Sequence, residues 1–85
     1  MKHLLNTLYV MSQETYLALD GETVLLRREG QNVYQVPLHT LDGIVAFGQV
    51  SASPALMAAC AERNVTLSFM SLSGRFQARV QGPVS

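Results

Sequence analysis

The chain has no tryptophan, one cysteine and three prolines in 85 residues, and no surplus of charge of either sign. The single thiol, Cys60, excludes an intrachain disulfide and suits a reducing cytosol. Six basic side chains balance six acidic ones, so no whole-molecule field draws nucleic acid in. Any such contact must come from a local cluster of arginines. No apolar run approaches the roughly 18 residues of a membrane helix. The opening Met1-Lys2-His3-Leu4-Leu5-Asn6 has no long apolar stretch behind its basic residues and does not read as a signal peptide. These shortages point to a soluble, cytoplasmic domain with no membrane partner.

What is present is apolar. Hydrophobic residues make up 48% of the chain against 14% charged, the balance of a folded domain and not of a disordered segment. There is room for one domain, which at this size buries only about 60–65% of its unfolded surface. The closing Gln81-Gly82-Pro83-Val84-Ser85 leaves strand composition for linker composition. The expected division is a β-rich domain over 1–80, with 81–85 opening an interdomain linker in a longer chain.

The stretch from Ile44 to Met70 organises the rest. It reads as a strand (Ile44 to Phe47), a Gly-Ser-rich loop, a short Ala-rich helix and a second strand (Val65 to Met70). Ser53 is a good N-cap, Pro54 suits the first helical position, and Asn64 suits a left-handed stop after Arg63. Such a βαβ unit requires parallel strands, and two nearly continuous apolar runs suggest strands covered on both faces. Leu56, Ala59, Cys60 and Arg63 share one side of the helix. Before this unit, Leu4 to Met11, Tyr16 to Leu19, Thr23 to Glu29 and Val33 to Val36 read as an antiparallel meander. Asp20-Gly21 is its strongest hairpin signal, Gly30-Gln31-Asn32 forms a second turn, and Pro37 ends the pairing. Leu41 plugs into the core. After the unit, Ser71-Leu72-Ser73-Gly74 turns the chain into a last strand, Arg75 to Val80. Its alternation places Phe76, Ala78 and Val80 inward and Arg75, Gln77 and Arg79 outward. The fold class is α+β, mostly β: a meander plus one βαβ unit, with about seven strands and one short helix.

A search for chemistry leaves little. His3, His39, Asp20, Glu22, Asp42, Glu14, Glu29 and Glu62 share no recognised ligand spacing, and Asp20 and Glu22 are explained by their turn. Ser51 and Ser53 precede a helix, where capping accounts for them, and Gly48 to Ala52 lacks the second glycine of a nucleophile elbow. Gly48 to Ser53 has one glycine and no lysine, so it is not a phosphate-cradling P-loop. Cys60 falls on the core side of the helix, as a buried, inert thiol does. No catalytic residue, metal ligand or cofactor site is expected in this segment.

The arginines remain. Arg75 and Arg79 are separated by about 13 Å at ~3.4 Å per residue, a span that brackets two phosphates, with Gln77 as a polar contact between them. Arg63 and the Arg27-Arg28 pair extend the pattern. The same residues also fit an ordinary solvated face, with Arg63 complementing the helix dipole.

The ordered whole resembles a known family. Leu4 to Val10, Leu41-Asp42-Gly43-Ile44-Val45-Ala46-Phe47-Gly48, Val50 to Met57, Cys60 to Val65, Leu67-Ser68-Phe69 and Gly74-Arg75-Phe76 carry the likeness. It is to the N-terminal domain of the CRISPR-associated spacer-acquisition integrase, the first-numbered of the Cas proteins, and within it to the type I-C subgroup. The resemblance implies a β-rich domain ahead of a helical catalytic domain, whose Glu, His and Asp ligands bind a divalent metal, Mg or Mn, for DNA cleavage and integration. It further implies a homodimer, a role in seating duplex DNA, and the second-numbered Cas protein as partner. Arg75 and Arg79 match the stretch that contacts the DNA backbone in the family. A self-standing domain that recruits a protein through its edge strands, with no DNA role, is the alternative.

Overall fold

Turn chemistry builds the first sheet. The computed structural model describes residues 2–4 and 6–82. In it, Lys2–Leu4 (β1) and Thr7–Val10 (β2) are followed by Thr15–Asp20 (β3), Thr23–Arg28 (β4) and Gln31–Pro37 (β5). The last three form the expected antiparallel meander. Asp20 pairs with Thr23, so Gly21 and Glu22 form a two-residue loop whose first corner is Gly21 at φ 60°. Glu29 and Gly30, at φ 53° and 76°, make the second corner, and the strand resumes at Gln31.

Strand β2 departs from the expectation. It pairs not with the meander but in parallel with Gly43–Phe47 (β6), from Thr7 opposite Gly43 to Val10 opposite Ala46. Apolar residues on both faces mark an internal strand, but they do not name its neighbour. Beyond β6, Val50–Ala52 (β7) interrupts the loop expected before the helix and pairs in parallel with β3. The chain therefore crosses between sheets at Gly48. Helix α1 (Pro54–Glu62) leads to Thr66–Met70 (β8), which lies parallel to β6, and Phe76–Val80 (β9) returns antiparallel to β8. The fold is mostly β and α+β, with nine strands and one α-helix among the described residues. Their order is β1-β2-β6-β8-β9 in one sheet and β5-β4-β3-β7 in the other. The side chains of His3 and Leu4, all of Leu5, and Pro83, Val84 and Ser85 of the expected linker lie outside what the structure describes.

The core lies between the sheets. Leu8, Val10, Ile44, Ala46 and Leu67 from the five-stranded sheet meet Leu17, Val24, Leu26 and Val36 from the four-stranded one. Leu41 is buried as expected. Helix α1 touches β3 on one side and β8 and β9 on the other, burying Leu56 and Cys60. Ser53 starts it as an N-cap: its Oγ accepts the Leu56 N–H at 3.1 Å. Asn64 ends it in the left-handed region at φ 56°. Gly82 lies against the helix end, where a Cβ would fall 2.3 Å from the Ala61 carbonyl oxygen and 2.9 Å from Asn64 Oδ1. The backbone after β9 thus stays in close contact with the domain as far as Gly82.

Candidate nucleic-acid interface

Strand β9 is one edge of the five-stranded sheet, with β1 at the opposite one, and four of its five residues are exposed. Its register explains why. Val80, Arg79 and Ala78 oppose Leu67, Ser68 and Phe69 in turn, but Met70 opposes Phe76, so Gln77 is an extra, bulged residue. The bulge resets the alternation. Phe76 shares a face with Arg79 and points out, 53% exposed, where regular alternation placed it in the core. Arg79 Cζ stands 5.5 Å from the centroid of the Phe76 ring, within cation–π range. Val80 still packs against the core, while Ala78 is exposed at the rim.

The bulge also separates the two arginines. The Ser71 N–H donates to the Arg75 carbonyl at 2.8 Å, which continues the hairpin by one register position past Met70 and Phe76. That position alternates to the face opposite Phe76 and Arg79. Arg75 and Arg79 therefore lie on one exposed edge but not on one face. The Arg75 N–H is fixed by Ser71 Oγ at 2.9 Å, and Ser71 Oγ lies 3.0 Å from Ser73 Oγ, which holds the turn at the arginine's base.

The other candidates are placed apart from this edge. Arg63, at the end of α1, forms an exposed ion pair with Glu22 in the first hairpin of the meander. Exposed pairs of this kind add little to stability, yet this one occupies the guanidinium. Arg27 belongs to β4 in the second sheet, where its Nε donates to Asn32 Oδ1 at 2.8 Å. Among the described residues, no three His, Cys, Asp or Glu side chains come together as a metal site. Burial raises the Cys60 thiol to about 11, so it stays protonated and unreactive at neutral pH.

Gln13 joins three segments of the backbone. Its Nε2 donates to the Met11 and Phe47 carbonyls, both at 2.9 Å, and its Oε1 accepts the Gln49 N–H at 2.6 Å. One side chain thus ties together the chain ends where the polypeptide leaves the five-stranded sheet. Gly48 must be glycine beside it: at φ 71°, an added Cβ would fall 2.4 Å from Gln13 Oε1 and 2.8 Å from Leu72 Cγ. An open cleft of about 450 Å³ adjoins this junction, lined by residues that include Glu14, Gln49 and Ser51. No local motif signals a glutamine whose partners lie 34 and 36 residues away.

Comparison with known proteins decides the family. The family model described as "CRISPR associated protein Cas1" matches residues 8–85. The chain belongs to the Cas1 family. It is 48% identical over 84 residues to a "CRISPR-associated endonuclease Cas1 1" of Chlorobaculum tepidum, covering 99% of this chain and 24% of that protein. Among solved structures, it resembles a chain of a Cas6-RT-Cas1–Cas2 complex with a TM-score of 0.83 at 12% identity, covering 91% of this chain and 8% of that one. It also resembles a chain of a TtCas1–DNA complex with a TM-score of 0.73 at 14% identity, covering 91% of this chain and 29% of that one. At such identities the structural likeness concerns the fold. The chain spans about a quarter of the length of the curated relative, within a family whose named members are CRISPR-associated endonucleases.

Proposed function

We propose that this domain is the N-terminal dimerisation and DNA-docking module of a Cas1 integrase, of the type I-C subgroup, that acquires spacers for antiviral defence in the cytoplasm. The observation that carries the DNA role is the β9 edge, where Arg75 and Arg79 stand exposed at the rim of a sheet whose strands contain no aspartate or glutamate. Duplex DNA is the ligand proposed for it. A solved Cas1–DNA complex and a Cas1–Cas2 complex share the fold, which supports DNA and Cas2 as partners. Gln77, lifted out by the bulge, adds a polar contact between the arginines. Arg63 joins the surface only if it leaves Glu22. Catalysis, with its divalent metal, is assigned to the three quarters of the curated relative's length that this chain does not span.

Dimerisation is assigned to the exposed β5 edge of the four-stranded sheet. Strand β5 carries no charged residue from Gln31 to Pro37, and its Val33 and Tyr34 are 51% and 39% exposed. An uncharged edge of this length is a template for another strand, and the same strand of a second copy satisfies it with two-fold symmetry.

Binding measured against salt tests the DNA role. Affinity for a short duplex should fall as salt rises, and Arg75→Ala and Arg79→Ala should each weaken it and flatten the salt slope by roughly one unit or less. A chain with no salt-dependent DNA affinity, but with a protein bound at its edge strands, would be a recruiting domain instead.

A further inference from the structure

We infer that the outer face of the five-stranded sheet is a second nucleic-acid site, one that holds unpaired nucleotides by stacking their bases on Phe76, Phe47 and Tyr9. The inference rests on the DNA-docking reading above and adds the form of DNA and the sheet face that adjoins the docking edge, with Arg79 common to both. Two rows of side chains cross this face. One runs Tyr9, Val45, Ser68, Arg79 through β2, β6, β8 and β9, and the next runs Phe47, Met70, Phe76. Their chain neighbours Leu8, Val10, Ile44, Ala46 and Leu67 point the other way and are at most 2% exposed. Ser68 is buried, Tyr9, Val45, Phe47 and Met70 are half-buried, and Phe76 and Arg79 are exposed, so the face is largely apolar and opens toward β9.

Charge selects the occupant. The five strands contain no acidic residue, Arg79 is the basic side chain described on this face, and Asp42 and Glu14 lie in connections outside the strands. Arg79 stands over the Phe76 ring, which puts a cation beside an exposed aromatic plane. Three of the six aromatic residues of the chain share this face. Aromatic rings with an adjacent guanidinium on an open sheet match the chemistry of unpaired nucleotides: a π-face for the base and a positive charge for its phosphate. A duplex presents no free base faces along its length, so it does not satisfy this surface. A purely apolar protein segment leaves Arg79 without a counter-charge.

The test compares a labelled oligothymidine with a duplex of equal length, both at low salt, by fluorescence anisotropy on the 85-residue chain. Phe76 lies at an exposed edge, so its variants should fold, and a thermal melt checks this. Phe76→Leu keeps the apolar volume and removes the π-face, and Phe76→Tyr restores it. The expected result is single-strand binding weakened about fivefold or more in Phe76→Leu, retained in Phe76→Tyr, with duplex binding unchanged in both. Unaltered single-strand binding in Phe76→Leu, or binding of duplex alone, overturns the stacking site and leaves the docking edge standing. Failure to bind either form overturns both readings. Loss of a protein partner in Phe76→Ala but not in Phe76→Leu, without single-strand binding, makes the face a protein-docking surface and overturns the inference.

Discussion

Strands β5 and β9 each form one edge of their sheet, opposite β7 and β1, and they solve the same problem differently. Both are almost wholly exposed and both carry a bulge, at Val33 in one and Gln77 in the other. An open edge invites another strand, and charge is the usual guard against it. Strand β9 has that guard in Arg79, with Arg75 just ahead of it, while β5 has no charge at all. The unguarded edge suits a second copy of the chain, and the guarded one suits an anion. The difference lies in a few side chains and not in backbone geometry.

The largest expected effect comes from removing that difference. Val33→Lys places like charges near one another across a two-fold β5 interface. Sedimentation should show dimerisation weakened at least about tenfold, roughly 1.4 kcal/mol or more, with DNA affinity not reduced. An unchanged dimer would move the interface away from β5. Next comes the scaffold. Ser53→Ala removes the N-cap of α1 and should cost about 1 kcal/mol in urea denaturation, lowering both activities only as far as folding itself falls. On the DNA side, Arg79→Ala and Arg75→Ala should each reduce duplex affinity about threefold at low salt and leave the dimer intact. Glu22→Gln is the smallest test. It frees Arg63, and a rise in DNA affinity would bring the helix end into the docking surface, whereas no change would keep the surface on β9.

Much of this architecture was legible. Asp20-Gly21 marked the hairpin, Ser53-Pro54 the helix start, Asn64 its stop, and the two apolar runs a parallel pair, because each signal acts through its immediate neighbours. Three features were not. The parallel partner of β2 lies more than thirty residues away along the chain, from Thr7 to Gly43 at its start, and the burial pattern of a central strand is the same whichever strand lies beside it. Strand β7 is three residues inside a Gly-Ser-rich stretch, too short for periodicity to show. The bulge at Gln77 is one extra residue, which leaves local alternation intact while reversing which face Phe76 takes. That last miss matters most for function, because it moved an aromatic ring from the expected core to the side of Arg79 and turned Arg75 to the other face. Of the candidate site residues, Arg75, Gln77 and Arg79 remain together on one edge, and Arg63 is held elsewhere by Glu22.

The central claim is that the two edges are separate in function, and a ¹H–¹⁵N titration with a short duplex tests it most directly. The account predicts shifts at Arg75 to Val80 that fade with added salt, while the amides of β5 from Gln31 to Val36 stay in place. Shifts concentrated in β5, or none along β9, would contradict it.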